Sequence, residues 1–101
     1  MELWKIFLVD DDAEDRWVVE DALQTVDPAV TIRSSENGQD ALKMLNDCYN
    51  KGEAPCVIVL DVNMPKMNGT EVLSKLKDDN RFREIPVVMY STSINPYEKE
   101  K

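Results

Sequence analysis

Two kinds of apolar pattern take turns along this chain. Trp4–Val9 (WKIFLV) and Val57–Leu60 (VIVL) are short runs with almost no polar interruption, the build of strands covered on both faces in a parallel α/β sheet. Val30-Thr31-Ile32-Arg33 alternates apolar and polar, as an edge strand does, and Pro86–Tyr90 (PVVMY) is a further apolar strand. Between the strands the spacing becomes helical. Val18, Val19, Ala22, Leu23 and Val26 form one stripe, with Arg16, Glu20 and Gln24 turned outward. Asp27-Pro28 stops that helix, because the residue before a proline is pushed out of the helical region. A second stripe, Ala41, Leu42, Leu45, Cys48 and Tyr49, opens at Asn37-Gly38 and has Gly52 just past its end. A third carries Val72, Leu73 and Leu76 and closes at Asp78-Asp79-Asn80. The order β-α-β-α-β-α-β implies an α/β fold whose parallel sheet is joined by crossover helices.

The pattern then breaks off. Asn95-Pro96-Tyr97-Glu98 is a good helix start, with Asn as N-cap, Pro at the first position and Glu at the third. Only residues 96–101 follow that cap, and so short a helix is not stable alone. Residues 1–101 therefore read as one incomplete domain, cut at the start of its fourth helix.

Composition narrows the function classes. With 43% hydrophobic and 32% charged residues the chain is globular rather than disordered. A net charge of −8 repels phosphate backbones and argues against nucleic-acid binding. No apolar run is long enough to span a bilayer, and Met1–Lys5 lacks the basic-then-apolar build of a signal peptide. Cys48 and Cys56 fit no metal-ligand spacing and read as two small buried thiols of a reducing cytoplasm. Histidine is absent, which removes most ordinary acid–base and zinc chemistry.

The chemistry that remains is acidic. Val57–Gly69 reads VIVLDVNMPKMNG, so a buried strand delivers Asp61 to the sheet edge where open α/β folds bind ligands. The first strand ends at Asp10, Asp11 and Asp12. Two carboxylates about 4 Å apart repel by roughly 4 kcal/mol at an effective dielectric of about 20, so Asp10, Asp11 and Asp61 together ask for a cation. A hard divalent ion with oxygen ligands, Mg²⁺, is the natural partner. Asp12 reads instead as the N-cap of the first helix, with Asp15 in its first turn. Hydroxyls and N–H groups at Ser91 and Thr92, after the fourth strand, could bind a phosphoryl oxygen. Pro65 and Gly69 read as turn and helix-start punctuation, and Met64 and Met67 as packing residues. An aspartate in such a pocket can attack phosphorus and become an aspartyl phosphate.

These residues resemble a family. FLVDD at Phe7–Asp11, DVNMPKMNG at Asp61–Gly69 and IPVVMYST at Ile85–Thr92 are similar, together and in order, to the receiver domain of two-component response regulators. LKDDNRFREIPVVMYSTS looks like the stand-alone receivers associated with phytochrome-type and hybrid histidine kinases. The resemblance implies a flavodoxin-like, doubly wound sheet of strand order 2-1-3-4, with the fifth strand and the last helices missing. It makes Asp61 the phosphoacceptor, Asp11 the direct Mg²⁺ ligand and Asp10 the neighbour that holds the metal through water. Asn63 would complete the metal site with its backbone carbonyl. Ser91 would be the switch hydroxyl and Thr92, bulkier than the family's usual Ala or Gly, the neighbour whose N–H meets the phosphoryl group. The family's lysine and switch aromatic would lie on the missing strand.

The implied function is a cytoplasmic phosphoacceptor switch, not an enzyme, taking its phosphoryl group from a histidine kinase or phosphotransfer protein. The alternative is a receiver-fold binding or dimerisation module without phospho-switching, a homodimer pairing through the exposed edge of the fourth strand. A Mg²⁺-dependent phosphatase would want a second Asp where Asn63 stands, and a nucleotide-binding enzyme would want GxxxxGK[ST] or GxGxxG.

Overall fold

A computed structural model of the chain describes residues 5–62, 64 and 69–90. Four strands, β1 (Lys5–Val9), β2 (Thr31–Ser35), β3 (Val57–Asp61) and β4 (Val87–Tyr90), alternate with three helices, α1 (Ala13–Val26), α2 (Gly38–Asn50) and α3 (Gly69–Lys77). All strand pairs are parallel and the sheet order is β2-β1-β3-β4, as the alternation of periods and the resemblance implied. The expected helix start at Asn95–Glu98 lies outside the described residues.

Parallel registry sorts the strand residues onto two faces, because successive side chains alternate and paired residues share a side. Phe7 and Val9 of β1 pair with Ile58 and Leu60 of β3, which pair in turn with Val87 and Met89 of β4. This face packs against Ala41 and Leu45 of α2 and Val72 and Leu76 of α3, with Met64 and Phe82 in the same cluster. The opposite face carries Ile6 and Leu8, Val57 and Val59, and Val88. α1 lies over it, with Leu23 and Val26 lining one cavity with Ile6 and Val30.

α2 ends as its glycine predicts. Gly52 takes φ +73° and donates to the Tyr49 carbonyl at 3.0 Å, while the Glu53 N–H donates to the Cys48 carbonyl at 2.7 Å. This pair of bonds satisfies carbonyls that the helix itself leaves open.

α1 departs from expectation. None of its residues is buried. Val18, Ala22 and Val26, expected inward, are exposed, Val26 to 85%. Arg16 and Glu20, expected outward, are half-buried alongside Val19 and Leu23. The helix is turned by about one residue from the expected facing, and on its inner side the Arg16 guanidinium donates to the Asp10 carbonyl at 2.7 Å. Cys48 is buried as expected, but Cys56 is exposed: it precedes β3, where its N–H closes onto the Lys5 carbonyl at 2.8 Å at the sheet's outer end.

Candidate functional site

The alternation that buries Leu8 and Val59 also decides where the next functional residues fall. Asp10 follows Leu8 at a spacing of two, and Asp61 follows Val59, so both carboxylates emerge on the α1 face at the carboxyl end of the sheet. Both are 0% exposed, while Asp11 beside them is exposed. One carboxylate oxygen from each of Asp10, Asp11 and Asp61 lies within 4.8 Å of the others. The structure thus brings together the three acids that the sequence singled out. Ser91, Thr92 and Asn63 lie outside the described residues.

The surrounding backbone is locked. The ladder carries on past β1 and β3 through Asp10 N–H to the Ser35 carbonyl at 3.1 Å and Val62 N–H to the Tyr90 carbonyl at 2.9 Å. Asp12 caps α1, its carboxylate accepting from the N–H groups of Glu14 at 2.8 Å and Asp15 at 3.2 Å, which gives that acid the capping role read from its position. Gly69 does more than punctuate. A Cβ there would stand 2.5 Å from the Asp61 carbonyl oxygen and 2.9 Å from the Val62 Cα, so only glycine lets α3 begin against the backbone of Asp61. The Gly69 N–H donates to the Val62 carbonyl at 3.1 Å and ties the two together.

Sequence reasoning passed over Tyr90, which it took as strand only. Its hydroxyl donates to Asp10 Oδ2 at 2.5 Å. Burial, then the hydrogen bond to Asp10, then the charges of Asp10, Asp61 and Asp15 push its phenol well above the ordinary tyrosine value. A phenol ending an apolar strand next to two acidic strand ends was the available signal. Arg16 was missed as well; a cation one turn into α1, beside the acidic strand end, pointed to it.

Three carboxylates so close, two of them fully buried, form an oxygen-only donor set that suits a hard divalent cation.

The comparisons with known proteins agree with this geometry. Residues 6–101 match the family model described as response regulator receiver domain. The chain belongs to that family. This receiver is 32% identical over 88 residues to chemotaxis protein CheY1 of Helicobacter pylori, covering 87% of this chain and 67% of CheY1. Its fold superposes on the phosphorylated cyanobacterial phytochrome response regulator RcpA with a TM-score of 0.81 at 35% identity, over 98% of this chain and 72% of RcpA. The Mn²⁺-bound form of response regulator Rcp1 gives 0.78 at 32% identity, over 94% and 70% of the two chains. By sequence, the receiver spans 63% of the length of Rcp1 from Synechocystis.

Proposed function

We propose that this receiver is a phosphoacceptor switch of a two-component system, with Asp61 taking a phosphoryl group from a phosphohistidine of a histidine kinase or phosphotransfer protein. The observation that carries the reading is the placement of a fully buried Asp61 at the end of β3 with its carboxylate beside those of Asp10 and Asp11. An Asp61 oxygen attacks phosphorus, the new O–P bond forms as the N–P bond breaks, and the imidazole leaves with the electron pair and takes up a proton. Asp10, Asp11 and Asp61, with the Asn63 carbonyl, would hold Mg²⁺ in this reading, and Ser91 and Thr92 would meet the phosphoryl oxygens. Bound there, the cation would supply charge neutralisation for the transferring group. The packing of β3 supports the acceptor role, since fully buried Ile58 and Leu60 hold in place the strand that carries Asp61. The chain turns over no substrate beyond its own phosphorylation and slow dephosphorylation. Its place is the cytoplasm, and no described helix is long and apolar enough to cross a membrane.

One observation favours the second reading, a binding or dimerisation module: β4 stands at the edge of the described sheet, with Val88 53% exposed. Incubation with Mg²⁺ and acetyl phosphate separates the two. The switch gains the mass of one phosphoryl group in a base-labile adduct, and Asp61→Asn abolishes the gain. No adduct at saturating Mg²⁺ leaves the module as the better account.

A further inference from the structure

Asp10 is held from two directions, and the second is unexpected. Its Oδ1 accepts from the Asp12 N–H at 2.9 Å, a contact within its own loop. Its Oδ2 accepts from the Tyr90 hydroxyl at 2.5 Å, and Tyr90 stands two strands away. Adjacent strands lie about 4.8 Å apart, so the Tyr90 and Asp10 side chains together bridge roughly 10 Å of sheet. Asp61, the register partner of Tyr90, sits on the strand between them. The bond therefore links the two strands that flank the acceptor strand. Valine or leucine could fill part of that space, but neither has the reach or the donor.

We infer that Tyr90 is a positioning residue for the cation site, its hydroxyl fixing the Asp10 carboxylate in the orientation from which the site takes a divalent cation. The inference rests on the cation site proposed above and adds to it a residue that acts through the Asp10 carboxylate. Two features support it. The backbone of Tyr90 is anchored beside Asp61 by the Val62 N–H, so the hydroxyl is presented from a fixed strand. An ordinary phenol is protonated throughout the neutral range, so the donor is always present. Groups that orient a metal-site carboxylate from outside matter to affinity: losing one typically weakens binding by about tenfold to a hundredfold.

Tyr90→Phe keeps the ring and removes only the donor. Mn²⁺ titration, followed by the paramagnetic resonance of the free ion, should give at least about tenfold weaker binding for Tyr90→Phe than for the unaltered protein. If the phenol acts through Asp10, the same change made in an Asp10→Asn background should weaken binding no further. Equal weakening in both backgrounds would instead overturn the route through Asp10. In the cation-free protein, the Asp10 carboxyl carbon resonance should move on Tyr90→Phe while thermal unfolding hardly changes. Unaltered protein that binds Mn²⁺ with the same affinity as Tyr90→Phe overturns the role of Tyr90 alone. Unaltered protein that takes up no Mn²⁺ overturns the cation site and the inference together.

Discussion

The two faces of this sheet are built from the same strands and treated in opposite ways. On one, Phe7, Val9, Ile58 and Leu60 are all but sealed by α2 and α3. On the other, cover fades across the sheet, from Leu8 with no exposure to Val88 with more than half its surface in solvent, and α1 adds no buried residue. Asp10, Asp61 and Tyr90 all belong to the second face. The difference teaches a division of labour within single strands. Residues of one parity hold the strand in place, and those of the other end, at the carboxyl edge of the sheet, in the charged and polar groups Asp10, Asp61 and Tyr90.

Truncation on each face breaks or sharpens that contrast. Leu60→Ala on the sealed face should cost about 2–5 kcal/mol, whereas Val88→Ala on the open face should cost less than about 0.5 kcal/mol. Urea midpoints with unchanged slopes would measure both, and equal losses would abolish the distinction. Gly69→Ala tests how tightly the sealed side grips the site. The methyl group collides with backbone rather than with a yielding side chain, and such overpacking costs about 1–3 kcal/mol. Amide resonances of Asp61 and Val62 should shift with it.

At the acidic end of the second face the sign reverses. Asp61→Asn removes one of three crowded charges and should stabilise the cation-free protein by about 1–4 kcal/mol. Added Mg²⁺ should close that gap by stabilising the unaltered protein more. A destabilised Asp61→Asn in chelator would argue that the three acids do not repel.

The smallest effect lies far from the sheet. Side-chain hydrogen bonding from Arg81, then the Arg81 backbone N–H, holds Asp79 at about 2 against an ordinary 3.8. A carboxyl whose folded value lies below its unfolded one contributes stability that is complete above the unfolded value. That contribution drains away as pH falls from about 4 to about 2. Asp79→Asn should therefore flatten acid unfolding slightly in that window; because the pair is exposed, the change should be small. An unchanged acid profile would deny the Arg81 contact any energetic role.

Much of this molecule is legible from residue order, for reasons that vary by element. The strands were readable because unbroken Val, Ile and Leu leave few alternatives, and α2 because its buried Ala41, Leu45 and Cys48 fall on one stripe. The acids at the strand ends were readable because periodicity and topology together place them. The facing of α1 was not. Trp17, Val18, Val19, Ala22, Leu23 and Val26 spread around much of the helix, so spacing alone does not say which of them meets the sheet. The side that does meet it carries Arg16, whose guanidinium donates to the Asp10 carbonyl, a contact no spacing reveals. Nor was the bond from Tyr90 to Asp10, which joins residues 80 apart in sequence and depends on two side chains meeting across a strand. The need for glycine at position 69 lies in a backbone collision, which no local pattern encodes.

The alternation of faces also limits how such a chain can change length. A single residue inserted between Val9 and Asp10, or between Leu60 and Asp61, would turn a carboxylate toward the apolar layer beneath α2 and α3. Two residues would restore its direction but carry it about 7 Å along the strand, out of reach of its neighbours. Insertions and deletions should thus be tolerated best in the connections at the other end of the sheet, such as residues 51–56. Within the strands, this architecture can vary only by exchanging one side chain for another.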